Sequence, residues 1–219
     1  MASGTASGVL YLVASAAGPV PGIPAVITAA QQRGWDVCLI LTPTAARWLD
    51  ADLEDLARLS GHPVRSAYKQ PGEPDVLPPP DAVLVAPATF NTVNKWAAGI
   101  SDTLALGLIN EAIGMGIPVA AVPWVHGPLA AHPALAASIA RLRGAGVTVL
   151  DEAGRDAGAA VPGSAGADGA GLESASARGA SAGPGGPGPD VASLPVAPAP
   201  APAPAFADYP WERALDALG

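Results

Sequence analysis

The sequence predicts an α/β fold: a parallel sheet with helices on both faces, followed by an Ala/Gly/Pro-rich tail. Three observations predict it. Short continuous apolar runs, VLYLVA at 9–14, DVCLIL at 36–41, DAVLVA at 81–86 and IPVAAV at 117–122, match strands buried on both faces. Helical patterns separate those runs, and alternation of strand and helix builds a parallel sheet covered on both sides. Composition then changes abruptly near residue 152. Gly (26) and Pro (25) make up almost a quarter of the 219 residues, yet half the chain is apolar, so one average describes two populations.

The elements follow in order. Val9–Ala14 is the first strand, and a Ser/Gly/Pro turn leads to a helix that Pro24 opens and Gly34 ends. Asp36–Leu41 is the second strand. Thr42-Pro-Thr-Ala enters a helix containing Trp48, and Asp52 caps another (LEDLARL) that stops near Gly61. A short strand is expected at Val64–Ser66. After a Pro-rich loop, Asp81–Ala86 is the central strand, with helices at about Thr89–Ala98 and Asp102–Met115. Ile117–Val122 is a strand, His132–Gly144 a helix, and Val147–Leu150 the last strand.

Residues 1–152 hold all three His, the only Cys and four of the five Trp, enough for one domain of common size. Residues 153–205 contain 17 Ala, 11 Gly and 9 Pro, with no aromatic and no Lys. Such a segment buries too little apolar area to offset its ordering entropy, so it reads as a disordered linker. Its end, PVAPAPAPAP, reads as a stiffer polyproline II spacer. Residues 206–219 form a short helical segment with Trp211, Leu215 and Leu218 at helical spacing, able to dock on this chain or on another.

Charge and cysteine exclude several classes. The net charge is −8 and acidic residues outnumber basic ones in domain and tail alike, so neither a nucleic-acid surface nor an anionic membrane partner is expected. A single Cys38 inside an apolar run excludes an intrachain disulfide and a Cys-based metal cluster, and fits a buried thiol in a reducing cytoplasm. The apolar start lacks the basic n-region of a signal peptide, since no Lys or Arg precedes Arg33. The apolar stretch at 103–122 is interrupted by Asn110, Glu111 and Pro118, so a soluble protein is expected.

In such sheets ligands collect beyond the carboxyl ends of the strands. The loops in that position are 15–22, 42–45, 87–92 and 123–132. The first, Ser15-Ala-Ala-Gly-Pro, has small residues that let a phosphate approach the main chain; it is neither G-x-G-x-x-G nor a P-loop. Thr42 and Thr44 add hydroxyls that serve equally well as caps. In APATFNTVNKWAAGISDT at 86–103, Asn91 and Thr92 stand just after a buried strand at a helix start.

That last segment resembles the homo-oligomeric flavin-containing cysteine decarboxylases, which include phosphopantothenoylcysteine and lantibiotic peptidyl-cysteine decarboxylases. Pro87-Ala-Thr-Phe-Asn-Thr is similar to their PASANT motif, and Lys95, Ala97, Gly99, Ile100 and Asp102 continue its pattern. QRGWDVCLILTPTAARWL at 32–49 and LSGHPV at 59–64 extend the likeness, which reaches about Leu150. The resemblance implies a Rossmann-like (flavodoxin-like) three-layer sandwich, a homotrimer or higher homo-oligomer, and FMN at a subunit interface. It implies FMN phosphate and ribityl contacts at Ser15, Ala16 and Thr44, and flavin contacts at Asn91, Thr92 and Val93.

The chain also departs from the family. Where the decarboxylases carry a catalytic His, fourteen residues before Pro87, this chain has Glu73 in the loop PGEPDVLPPP. The P-x-M-N-x-x-M-W substrate clamp is replaced by Pro123-Trp-Val-His-Gly-Pro-Leu-Ala, which puts His126 at the Asn position, and a family Cys is Ser101. The expectation is therefore an FMN enzyme acting on a small molecule or peptide other than phosphopantothenoylcysteine, with His126 as relocated base and Glu73 as acid/base partner. Two alternatives stand beside it. One is a non-catalytic flavin-binding or regulatory subunit that engages a partner protein. The other, a prenyl-flavin synthase, is disfavoured because Lys69 and Lys95 are the only lysines and form no cluster.

Overall fold

A computed structural model describes residues 8–151 and 209–218. Five strands form one sheet: β1 (Gly8–Ala14), β2 (Trp35–Leu41), β3 (Ala82–Ala88), β4 (Val119–Pro123) and β5 (Thr148–Val149). Their order is β2-β1-β3-β4-β5 and every pairing is parallel. This is the flavodoxin-like order. The chain leaves β1 toward β2 on one side and returns to place β3 on the other, so β1 and β3 flank the topological switch point.

The sheet is the middle of three layers because successive side chains of a strand face opposite ways. Leu10, Leu12 and Ala14 of β1 join one core cluster, with α1 (Ile23–Gln32), α2 (Pro43–Trp48) and α3 (Leu53–Ser60). Tyr11 and Val13 face the other cluster, with α4 (Phe90–Ala97), α5 (Leu104–Met115) and α6 (Pro133–Gly144). Every residue of β3 is buried, as expected of a central strand covered on both faces.

Local chemistry sets the ends of these elements. Thr42, Thr89 and Thr103 cap α2, α4 and α5, each accepting a backbone N–H three residues on. Gly99, at φ 72°, allows the left-handed turn between α4 and α5. Four expectations are corrected. The strand anticipated at Val64–Ser66 is a single bridge, Ile40 to Arg65, beside Pro63, which has no N–H to extend the ladder. Asp52 stands at the start of α3 without a side-chain cap bond, and Thr103 rather than Asp102 opens α5. β4 begins at Val119 rather than Ile117, because the Ile117 N–H still closes α5 and Pro118 has none to give.

The expected linker at 153–205 lies outside the described residues. The terminal segment does not: α7 (Trp211–Asp216) packs on this same domain, with Tyr209, Ala214 and Leu215 in the cluster of α1. Arg33 holds it from outside through Glu212 (2.5 Å) and Asp216 (3.0 Å).

Candidate functional site

The carboxyl ends of β1 to β4 surround an open cleft of about 740 Å³. Ser15, the first residue after β1, is almost fully buried behind it, and its N–H donates to the Pro87 carbonyl at 2.9 Å. The Ser15 hydroxyl lies 2.8 Å from Thr92 Oγ1, which lies 3.0 Å from Thr89 Oγ1. Thr89 Oγ1 also accepts the Thr92 N–H. Three hydroxyls carry three hydrogens, and the two contacts among them use two. One O–H therefore remains to donate outside the trio.

The other cleft hydroxyls repeat this logic. Thr42 accepts from the Ala45 N–H, Thr44 from the Arg47 guanidinium at 3.0 Å, and Thr103 from the Leu106 N–H. Each acts as acceptor, which leaves its own hydrogen to give. The lining holds no carboxylate, and its titratable side chains are Lys95 and His126. Lys95 Nζ sits 2.6 Å from Asp102, which lies outside the lining. Phe90, Leu106, Trp124, Val125 and Leu129 supply apolar walls. His126 is exposed at the mouth and meets the Trp124 ring edge-on, with centroids 4.3 Å apart.

Most of the residues singled out in the sequence converge here. Ala16, Thr44, Asn91, Thr92 and His126 line the cleft, and Ser15 backs it. Two do not join them. Val93 is turned into the core by the helical period, and its N–H is spent on the Thr89 carbonyl at 2.9 Å. Glu73 is exposed in the loop after α3, outside the lining, with its carboxylate accepting the Gln70 N–H at 2.8 Å. Thr89, Thr103 and Trp124 went unnoticed as site residues. A threonine directly before each helix was the available signal for the first two; nothing local marked Trp124.

The remaining candidates have structural employment. His62 Nε2 is 2.8 Å from Asp36 at the opposite end of the sheet, and His132 Nδ1 accepts the Ala134 N–H to open α6. Burial, with a smaller push from the Asp36 charge, raises the Cys38 thiol to about 12, so it stays protonated and unreactive. Among the described residues no three His, Cys, Asp or Glu side chains gather as metal ligands, and no helix is long and apolar enough to cross a membrane.

Comparison with known proteins accords with this geometry. A 71-residue stretch is 35% identical to the coenzyme A biosynthesis bifunctional protein CoaBC of Thermococcus kodakarensis, covering 32% of this chain and 17% of that protein. A 43-residue stretch is 46% identical to the dihydromethanopterin reductase (acceptor) of Methanosarcina mazei, covering 20% and 18%. The matches thus span less than a fifth of the length of either curated relative. The crystal structure of the FMN-dependent cysteine decarboxylase SpaF shares the fold, with a TM-score of 0.60 at 17% identity over 68% of this chain and 86% of that one. Residues 6–165 match the Flavoprotein family, a span that includes β1 through β5 and every residue of the cleft; the chain belongs to that family.

Proposed function

We propose that this chain binds FMN in the switch-point cleft and acts on a small molecule or peptide other than phosphopantothenoylcysteine. The observation that carries the proposal is the leftover hydroxyl hydrogen of the Ser15–Thr92–Thr89 trio, in a cleft without carboxylates. An anionic phosphate fits such a donor set, and the start of α4 adds the positive end of its helix dipole. The volume lies within the roughly 300–1,000 Å³ typical of ligand pockets.

Ser15, Ala16 and Thr44 would hold the phosphate and ribityl chain, and Asn91 and Thr92 the polar edge of the ring. Val93 contributes by packing α4, not by reaching in. Leu106, Trp124 and Val125 give the apolar surface a flat ring needs. Bound FMN supplies an acceptor for a hydride taken from the substrate. His126 is the base, because Lys95 is tied to Asp102 and the lining holds no other titratable side chain. Glu73 receives no step within one protomer. Leu129, half exposed at the mouth, suits cover by a neighbouring copy, and we extend the proposal to a homotrimer or larger homo-oligomer working in the cytoplasm.

The absorption spectrum of the purified protein tests the cofactor: flavin bands are expected, and a colourless protein that takes up no FMN overturns the proposal. Cysteine-terminated peptides and pantothenoyl thiols then test the chemistry by flavin bleaching. His126→Ala is expected to slow bleaching about 100-fold or more. A yellow protein that no thiol bleaches favours the second reading, a non-catalytic flavin-binding subunit. The shortage of acid/base groups in the cleft supports that reading; the docking of α7 on its own domain weakens it, by occupying the segment expected to seek a partner.

A further inference from the structure

The C-terminal segment does more than cover α1. Tyr209 is 4% exposed, and its hydroxyl donates to the Val122 carbonyl at 2.8 Å, a contact between residues 87 apart in sequence. Val122 belongs to β4, and the chain leaving β4 is the cleft wall Trp124-Val-His126. The Tyr209 ring meets the Trp124 ring at 5.5 Å and 67°, and Trp124 meets His126 at 4.3 Å and 89°. Behind Tyr209, Trp211 packs at 4.5 Å and lies so close to Gly22 that a side chain there would strike its indole nitrogen. Aromatic contacts therefore run without a break from the docked helix to His126, a titratable side chain of the cleft wall.

Each ring in this row restricts the next. The Trp124 N–H is fixed to the Ala88 carbonyl at 2.8 Å, which sets the backbone but not the indole. The indole has rings on two sides, Tyr209 and His126, and Tyr209 is itself held by a buried hydrogen bond and by Trp211. Edge-to-face pairs prefer definite angles, so fixing Tyr209 fixes the face that Trp124 presents to the imidazole.

We propose that Tyr209 is a positioning residue for His126: the docked segment 209–218 sets the Trp124 ring, and that ring holds the imidazole at the cleft mouth. The terminal segment thus backs a cleft wall that the domain supplies, although Asp151 and Tyr209 are separated by 57 residues of chain. The part of the proposal that concerns FMN rests on the cofactor assignment above; the part that concerns His126 does not.

The test uses the full-length protein and the ring resonances of its three histidines by NMR, with an FMN titration by flavin fluorescence alongside. In Tyr209→Leu the His126 signals move toward those of an unstructured histidine, while His62, at the other end of the sheet, keeps its position and reports the fold. FMN affinity falls about 3–10-fold, the worth of one aromatic pair. Tyr209→Phe retains the ring but loses the bond to Val122, so it moves the His126 signals in the same direction by less.

Unchanged His126 signals in a folded Tyr209→Leu protein overturn the proposal. Should that variant not fold, Tyr209→Phe decides, and unmoved His126 signals overturn it equally. If the wild-type protein binds no FMN, the cofactor assignment fails while the histidine signals still test positioning. If FMN binds and the signals stay put, positioning alone fails.

Discussion

The two ends of the sheet use polar residues in opposite ways. At the amino end carboxylates meet their partners within the fold. Asp36 pairs with His62, and Asp81 accepts the Val9 N–H at 2.7 Å while its own N–H donates to the Val9 carbonyl. At the carboxyl end, Ser15, Thr42 and Thr89 follow β1, β2 and β3, and hydroxyls replace carboxylates. A carboxylate only accepts, whereas a hydroxyl that accepts in a cap still has a hydrogen to donate. These two carboxylates find their partners within the fold, whereas the hydroxyls at the carboxyl end keep hydrogens beyond those their own contacts use.

Breaking the carboxyl end is expected to have the largest effect. Thr92→Val removes the hydroxyl that joins Ser15 to Thr89 and leaves Ser15 buried without that partner. Stability should fall about 1–3 kcal/mol, read by urea unfolding, and FMN affinity about 10-fold or more, the factor that about 1.4 kcal/mol of lost binding corresponds to. Undiminished affinity would reduce the trio to a helix cap.

The middle of the sheet provides a control belonging to neither end. Burial raises Cys38 from its ordinary 9.0 to about 12, and raises Tyr11 from 10.0 to about 12 with smaller pushes from Cys38 and Asp75. The unfolded chain releases these protons near pH 9 to 10, whereas the folded chain keeps them to about 12. Between those values the unfolded state binds fewer protons, so stability must fall as pH rises. The contribution is complete below pH 9 and gone above 12. Cys38→Ala should flatten the first part of that slope in urea midpoints taken from pH 7 to 11.

The smallest effect is expected at the amino end. Asp81→Ala frees the Val9 N–H at an exposed position, costing about 1 kcal/mol, a drop in melting temperature of roughly 2–4 °C. FMN affinity should not change. A loss of affinity equal to that of Thr92→Val would erase the contrast between the two ends.

Much of the fold was legible because its signals are local. Apolar runs marked the strands, and Gly99 separated α4 from α5. Val64–Ser66 misled because a β-branched residue next to a turn looks like a strand, whereas pairing depends on what lies alongside, and only Arg65 reaches β2. The cleft was legible wherever a loop follows a strand, with Thr44 and Asn91 in its lining and Ser15 behind it. The sequence did not show that Val93, which follows Asn91 and Thr92, is rotated by the helix into the core, or that the loop of Glu73 keeps its carboxylate for Gln70.

By itself the sequence determined the five strands of the sheet and the approximate extent of the helices between them, since periodicity and capping act over a few residues. Only the tertiary structure decided that Ser15 meets Thr92 across 77 positions, and that Tyr209 reaches Val122 across 87. Those meetings depend on the crossover that sets β3 beside β1 and on the apolar face of α1 that receives α7. No short window of sequence contains both halves of such a contact, so its chemistry exists only once the sheet is assembled.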